Sequence, residues 1–393
     1  DVDMSVNFDD TKITFRSKSP RELQVSNFIF SIINRPLVVF MGTAIIKWAL
    51  HFRLPIKGLI KATLFNQFCG GESIQGCEKK INQLKTFNVK TILDYSVEGQ
   101  ENEQSFDQTL KETLKAVQFA NEHDAIPFCV LKFTGLGSKS LMTKIQLGKT
   151  LTGNEQNQFN RFKERGFEVA QAISKLNQRL LIDAEESWYQ NVVDEFSYEL
   201  MIKYNTERAI VYNTYQFYRR DMLDRMKAGF EKIIASKVYF GAKIVRGAYM
   251  EQERFRAESL GYPDPIQPNK EATDRDYNEG VKFAMENLTH FSICLGTHNE
   301  VSSKGLVELI HQYGYEKNDA RIFFAQLLGM SDNISFKLSD EGYNVAKYVP
   351  YGPLEQVMPY LFRRAAENTS VQGQSSRELM LIKKEIKRRK LKL

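Results

Sequence analysis

From about residue 88 onward, short apolar runs alternate with longer stretches in which apolar residues recur at helical spacing. Eight runs carry the pattern: VKTILDYS (89–96), PFCVLKFTG (127–135), RLLIDAEE (179–186), AIVYNTYQ (209–216), FGAKIVRGAY (240–249), FSICLGTHN (291–299), RIFFAQLLG (321–329) and NVAKYVPYG (344–352). Runs this short and this apolar, bounded by turn residues, predict strands buried on both faces, as in a parallel sheet. Between them, FDQTLKETLKAVQFANEH (106–123) and NQFNRFKERGFEVAQAISKL (157–176) place apolar residues three and four apart, which predicts amphipathic helices. Eight strand–helix alternations predict an α/β fold, a (βα)8 TIM-like barrel over residues 88–378. Residues 1–87 read as an N-terminal helical arm and 379–393 as a basic C-terminal tail.

The polar positions of the same runs are as informative. Most runs begin apolar and end in Asp94, Lys132, Asp183 with Glu185, Asn213 with Gln216, Arg246, Thr297-His298-Asn299, Gln326 or Tyr348. In barrels of this kind the active site lies at the carboxyl ends of the strands, so these residues predict a lined pocket. Tyr348 opens YVPYGPLEQVMPYLFRRAAEN (348–368), which reads as a strand, a Pro/Gly turn and a helix bearing Arg363 and Arg364. Arginine presents a planar fork that grips a carboxylate with two parallel bonds. Consecutive helical residues point about 100° apart, so joint use of the pair calls for a helix end placed over the barrel mouth.

Composition narrows the field. The chain has 393 residues, 42% hydrophobic and 26% charged, with a net charge of +6. That excess is mild, and no nucleic-acid-binding motif accompanies it, so no nucleic-acid partner is expected. Cys69, Cys77, Cys129 and Cys294 show no CxxC pairing, which predicts a reducing compartment without a disulfide framework. The apolar run from Pro36 to Ile46 is cut by Lys47 and is too short to span a bilayer. The segment 36–65 around it reads either as a packed helix pair or as a basic amphipathic surface that touches a membrane. The tail LMLIKKEIKRRKLKL (379–393) carries the same two readings.

Several chemical motifs fail on inspection. Gly148-Lys149-Thr150 lacks the glycine a phosphate loop requires, Thr143 standing in its place. Gly135-Leu136-Gly137 lacks the third glycine of a dinucleotide fingerprint. The five histidines form no HxH or HExxH pair, which speaks against a metal site, and no GxSxG elbow is present. What remains is KIVRGAYMEQER (243–254) with KEATDRDYN (270–278). Gly247 lets backbone approach a flat or phosphorylated ligand. Arg246 supplies charge, Tyr249 a stacking face, and Lys270 and Thr273 groups able to hold phosphate oxygens.

Six blocks together, LLIDAEES (180–187), VYNTYQFYRRD (211–221), KIVRGAYMEQER with KEATD, GTHN (296–299), AQLLGM (325–330) and YVPYG…YLFRRAAEN, resemble the proline dehydrogenase family in the family's own order. The likeness covers about residues 88 to 378 and is nearest to the compact single-function enzymes. It implies FAD on a distorted barrel, L-proline as substrate, 1-pyrroline-5-carboxylate as product and a membrane quinone as acceptor, at a peripheral membrane surface. By position it implies that Arg363, Arg364 and Lys132 clamp the substrate carboxylate, that Tyr348 packs on the pyrrolidine ring, that Asp183 lies beside the pocket and that Glu367 orients the arginines. For the flavin it implies Asn213, Lys243, Arg246, Gly247, Ala248, Tyr249, Lys270, Thr273, His298, Asn299 and Leu327, to which the strand-end Gln326 is added. Asn213 and Lys243 depart from the bifunctional bacterial pattern, which has glutamine and arginine there.

Other readings stay open at this point. A relative that oxidises hydroxyproline would want a smaller residue than Tyr348, and a cofactor-free metabolite-binding barrel would be colourless. An aldolase-type barrel would need Lys132 as its Schiff-base lysine. No residue stands out as the base that takes the proton from proline's nitrogen. The compact length favours the cytoplasmic face of a bacterial inner membrane, with the mitochondrial matrix and inner membrane as the alternative.

Overall fold

The apolar runs form eight parallel strands that follow one another in chain order around a closed barrel. The structure is a computed structural model that describes residues 5–370 and 374–391. The strands are β1 (Val89–Tyr95), β2 (Phe128–Leu131), β3 (Leu180–Ile182), β4 (Val211–Gln216), β5 (Phe240–Val245), β6 (Phe291–Gly296), β7 (Ile322–Leu327) and β8 (Val345–Tyr351). Each lies inside one expected run, and four of the polar tails, beginning at Lys132, Asp183, Arg246 and Thr297, fall just beyond the strand end. Lys132, for example, leaves β2 and opens a 3-10 turn over Phe133–Gly135. Apolar segments tolerate burial on both faces of a parallel ladder, whereas charged ends do not.

Among the described residues six α-helices precede the barrel: α1 (Thr11–Thr14), α2 (Pro20–Ile33), α3 (Pro36–His51), α4 (Lys57–Ile60), α5 (Asn66–Phe68) and α6 (Glu78–Lys85), with a π-helical turn at Lys61–Phe65 and a 3-10 turn at Gln75–Cys77. Helices α7 (Glu103–Asn121), α8 (Lys139–Gln146), α9 (Gly153–Lys175), α10 (Ser187–Tyr204) and α11 (Met222–Ala235) separate the strands up to β5. Next come α12 (Met250–Leu260), α13 (Lys270–Glu286), α14 (Glu300–Tyr313) and α15 (Asp332–Asp340), and after β8 follow α16 (Leu354–Ser370) and α17 (Gln374–Arg388). Local chemistry sets their starts. Ser19 accepts from the Glu22 amide at 3.2 Å while Glu22 accepts from the Ser19 amide at 2.7 Å, a capping box that begins α2 at Pro20. Thr152 and Glu155 do the same for α9.

The chain packs as two compact units. The first joins residues 1–98 to 326–393. Its core draws Leu23, Phe30 and Phe68 from the N-terminal helices together with Leu361, Ile382 and Ile386 from α16 and α17. The basic stretch at 379–393 therefore lies largely in α17, which packs along α2 and buries Leu381, Ile382 and Ile386. Buried Glu385 pairs with Arg388 and Arg389, and Arg389 donates to the carbonyls of Phe15 and Lys18. Strands β1 and β8 pair from Val89↔Val345 to Tyr95↔Tyr351. The backbone just after α5 is tied to β8 as well: the Gly70 amide donates to the Pro350 carbonyl at 2.8 Å, and the Gly352 amide to Gly71 at 3.1 Å. A side chain at Gly70 would meet Val349 at 2.3 Å, so only glycine allows this approach.

The second unit, Gly99–Ala325, is built on β2 to β6 and most of β7. Aromatic side chains fill its helix–sheet layer, with Phe133, Phe162 and Phe196 in one group and Phe230, Phe240 and Phe291 in another. All four cysteines are buried and free, and burial pushes the thiols of Cys77, Cys129 and Cys294 up to about 12. They act as small hydrophobes rather than nucleophiles.

Candidate active site

In the second unit the carboxyl ends of β3, β4 and β5 gather a polar cluster. Lys243 on β5 and Asp183, one residue past β3, form an ion pair at 2.5 Å, and both side chains are about nine-tenths buried. A buried pair of this kind is tolerated only because each charge neutralises the other. One strand away, Asn213 on β4 donates to Asp194 Oδ1 at 2.9 Å. Asp194 also receives Gln190 at 2.9 Å and Arg225 at 3.1 Å, so the amide of Asn213 is fixed in orientation. Its own Oδ1 is fully buried and has no partner. Asn213 is in register with Ala242 and Thr214 with Lys243, so the Asn213 side chain points into the helix layer, on the opposite face from Lys243 and not into the expected flavin pocket.

Glu185 lies beside this cluster. Thr134 donates its hydroxyl to the carboxyl, and the Thr134 amide reaches it at 3.3 Å. Burial is the dominant influence and pushes the carboxyl up to about 7, against the opposing pull of Thr134 and Lys132. Gln216 donates to the Glu185 carbonyl at 2.7 Å and accepts from the Ala248 amide at 3.4 Å. Tyr249 caps α12, and burial holds its hydroxyl well above the ordinary tyrosine range. Lys132 tempers that shift, while Glu185, Glu186 and Asp183 add to it.

A second cluster follows β5 and β6. Arg246 donates to Asp274 at 2.9 Å, to Thr297 at 2.9 Å and to Ser302 at 3.0 Å, and its guanidinium lies 4.1 Å from the centre of the Tyr277 ring. Lys270, the first residue of α13, shares Asp274 at 2.5 Å, and Thr273 lies in the same first turn. Asn299 caps α14 and donates its amide to Thr297 at 3.0 Å, with His298 half-buried between them in sequence. Two helix N-termini and two cations make this end of the unit favourable for phosphate. Gly247 has φ 135, and a side chain there would strike the Tyr218 ring at 2.6 Å, so the Gly247–Ala248 peptide must stay bare.

In the first unit, Tyr348 is nearly buried on β8. Gln326 accepts from Ser335 at 2.7 Å, and the carbonyl of Leu327 receives Lys347 at 3.3 Å. Arg363 and Arg364 stand in the middle of α16 rather than at a helix end, with Pro359 inside the same helix. This corrects the expected placement: the helix continues past the pair, and the two side chains diverge. Arg363 is exposed and ion-pairs with Glu98, while Arg364 lies 5.1 Å over the Tyr360 ring. The side chain of Glu367 lies outside the described residues.

The cluster in the second unit therefore joins Asp183 to Lys243, Gln216 to Ala248, and Arg246 to Lys270 and Asn299. Glu98, Asp194, Gln190 and Asp274 were not foreseen. They are partners rather than strand-end residues, and ordinary surface-type side chains on loops and helices give no periodic signal in the sequence. Glu185 was visible at a strand end, but its raised affinity for a proton comes from burial that no local pattern encodes.

A family model described as proline dehydrogenase matches residues 77–377. The chain is 32% identical to proline dehydrogenase 1, mitochondrial, of Dictyostelium discoideum over 97% of this chain and 74% of that protein. It is 39% identical to the human protein of the same name over 61% of this chain, an alignment that spans 40% of the human protein. Among solved structures, proline utilization A of Bdellovibrio bacteriovorus superposes with a TM-score of 0.71 at 21% identity, over 92% of this chain and 38% of that one. This last likeness bears on the fold.

Proposed function

The chain belongs to the proline dehydrogenase family, and on that premise we propose that it oxidises L-proline to 1-pyrroline-5-carboxylate with FAD as the hydride acceptor and a membrane quinone as the final acceptor. The observation that carries the reading is the buried Lys243–Asp183 pair at the strand ends, with the bare Gly247–Ala248 peptide following the same strand. The residues present suit a flat heteroaromatic group joined to a diphosphate. Lys243 offers a fixed positive charge, and Gln216, on the same face of the sheet, an amide beside the Ala248 N–H. The bare Gly247–Ala248 peptide allows close approach, and Arg246, Lys270, Thr273, His298 and Asn299 stand where phosphate and sugar oxygens would be held. The bound flavin would supply two-electron oxidation of a C–H bond beside nitrogen.

The chain's own residues would do the rest. Arg363 and Arg364, with Lys132 as a third cation, would hold the substrate carboxylate once Arg363 exchanges Glu98 for it and both mid-helix side chains turn toward it, since a carboxylate taken out of water needs paired donors. Tyr348 would press on the pyrrolidine ring and leave no space for a ring hydroxyl, which favours proline over hydroxyproline. Lys243 would hold positive charge at the point where the accepted electrons add negative charge, and Asp183 would keep that lysine in place. The mitochondrial names of the relatives support a mitochondrial setting over a bacterial one. An anaerobic visible spectrum tests the reading. A flavin band that bleaches on adding L-proline supports cofactor, substrate and direction together, and a band that persists overturns the substrate assignment.

A further inference from the structure

Helix α3 is apolar on two sides, and only one of them is used in the fold. Val39 and Ala49 are buried, and Ile46 and Leu50 pack against the core of the first unit. The other side carries Leu37, Met41, Ile45, Trp48 and Phe52, spaced four, four, three and four residues apart along one stripe. These five side chains are 58% to 78% exposed, and Phe40 beside them is 77% exposed. A contiguous apolar stripe facing water marks an interaction surface.

The charges around the stripe say what covers it. From Leu23 to Gly71 the chain has no aspartate or glutamate, yet it carries Arg35, Lys47, Arg53, Lys57 and Lys61. Lys57 and Lys61 meet Glu355 and Glu72, whereas Arg35 and Arg53 stand exposed at the two ends of α3. A second copy of this chain would set the same cations against one another, because a two-fold contact repeats one patch on both partners. An anionic lipid surface complements them. Among the described residues no single helix is long and apolar enough to cross a membrane. The other basic amphipathic helix, α17, already spends its apolar face on α2.

We propose that α3 is a membrane-docking helix that lies in the plane of a bilayer, with Leu37, Met41, Ile45, Trp48 and Phe52 among the acyl chains and Arg35 and Arg53 on anionic headgroups. The assignment names the surface by which the enzyme reaches a membrane acceptor, and to that extent it rests on the function proposed above.

The test uses the flavin-loaded full chain. A Trp188→Phe variant leaves Trp48 as the sole tryptophan reporter, since the chain has two. The expected result is a blue shift of Trp48 emission and co-flotation with vesicles of phosphatidylcholine and phosphatidylglycerol, weakened by salt. A Met41→Ser/Ile45→Ser/Trp48→Ser variant of the parent chain should bind these vesicles ~100-fold more weakly or worse. Its melting temperature and its proline-dependent reduction of a soluble dye should be unchanged. No blue shift and no flotation would overturn the proposal. So would a native dimer that the triple variant splits while vesicles are ignored. Equal binding to phosphatidylcholine alone would overturn the anionic-lipid part. Dye reduction that fails in the native protein would count against proline oxidation and leave the vesicle result standing.

Discussion

Arg363 on α16 holds an ion pair with Glu98, the third residue past the end of β1, and both side chains are about half exposed. A pair at this exposure contributes ~0–1 kcal/mol to stability, so its interest lies in binding: Glu98 occupies the fork assigned to the substrate carboxylate. Glu98→Gln should lower the Michaelis constant for proline by up to ~5-fold and leave the melting temperature unchanged. Arg363→Met or Arg364→Met should raise it ~100-fold or more, because a carboxylate loses one arm of its clamp. Steady-state kinetics with proline decide both, and unchanged constants would remove the arginines from the site.

Tyr348 fixes the second expectation. Its carbonyl accepts from the Leu328 amide at 2.9 Å, so the backbone that carries the ring is held in place. Tyr348→Ser should raise kcat/KM for hydroxyproline relative to proline by ~10-fold or more, since the ring no longer fills the space of the hydroxyl. A ratio that does not move would leave Tyr348 as packing alone.

The Lys243–Asp183 pair separates stability from chemistry. Lys243→Met strands a buried carboxylate and should destabilise the protein by about 3–5 kcal/mol. The double variant Lys243→Met/Asp183→Leu should recover much of that loss and still lack proline oxidation. Thermal melts beside anaerobic bleaching measure the two effects. A double variant that bleaches normally would reduce the pair to a structural role.

Two buried carboxyls set the response to pH. Glu185 and Glu378 are each pushed up to about 7, burial being the largest cause in both. The ordinary glutamate value is 4.5. The folded protein therefore holds these protons more tightly than the unfolded chain, and their contribution to stability is full below 4.5. It is lost as pH rises through about 7. Glu185→Gln and Glu378→Gln should each flatten the decline in melting temperature between pH 5 and pH 8, with an effect of order 1–3 kcal/mol. Melts that keep their pH slope in both variants would contradict the assignment.

The strands were legible because burial on both faces demands continuous apolar residues, and a run such as RIFFAQLLG admits few other readings. The polar strand ends were legible for the same reason in reverse: Asp183, Gln216 and Arg246 interrupt that pattern where a packed core would not. What the pattern withheld is how these residues are tied together. Nothing near Asn213 announces Asp194 as its anchor, and nothing near Arg363 announces Glu98, because ion-pair partners far apart in sequence have no period. Helix α3 was ambiguous in a different way. Both of its sides are apolar, so composition alone could not say which would meet the core and which would be left outside.

The first unit takes both its N-terminal and its C-terminal strands and helices from opposite stretches of one chain, and this has a consequence for synthesis. Residues 1–98 leave the ribosome with Leu23, Phe30 and Phe68 uncovered, and the helix that closes over α2, α17, is made only after every strand of the barrel. Gly70 likewise waits for Pro350. Until α17 is made, the apolar residues of α2 lack the partner that covers them in the folded protein, and the outer stripe of α3 adds to that surface. The expected outcome is a refolding yield that rises when a holdase chaperone is present, and an unchanged yield would count against it.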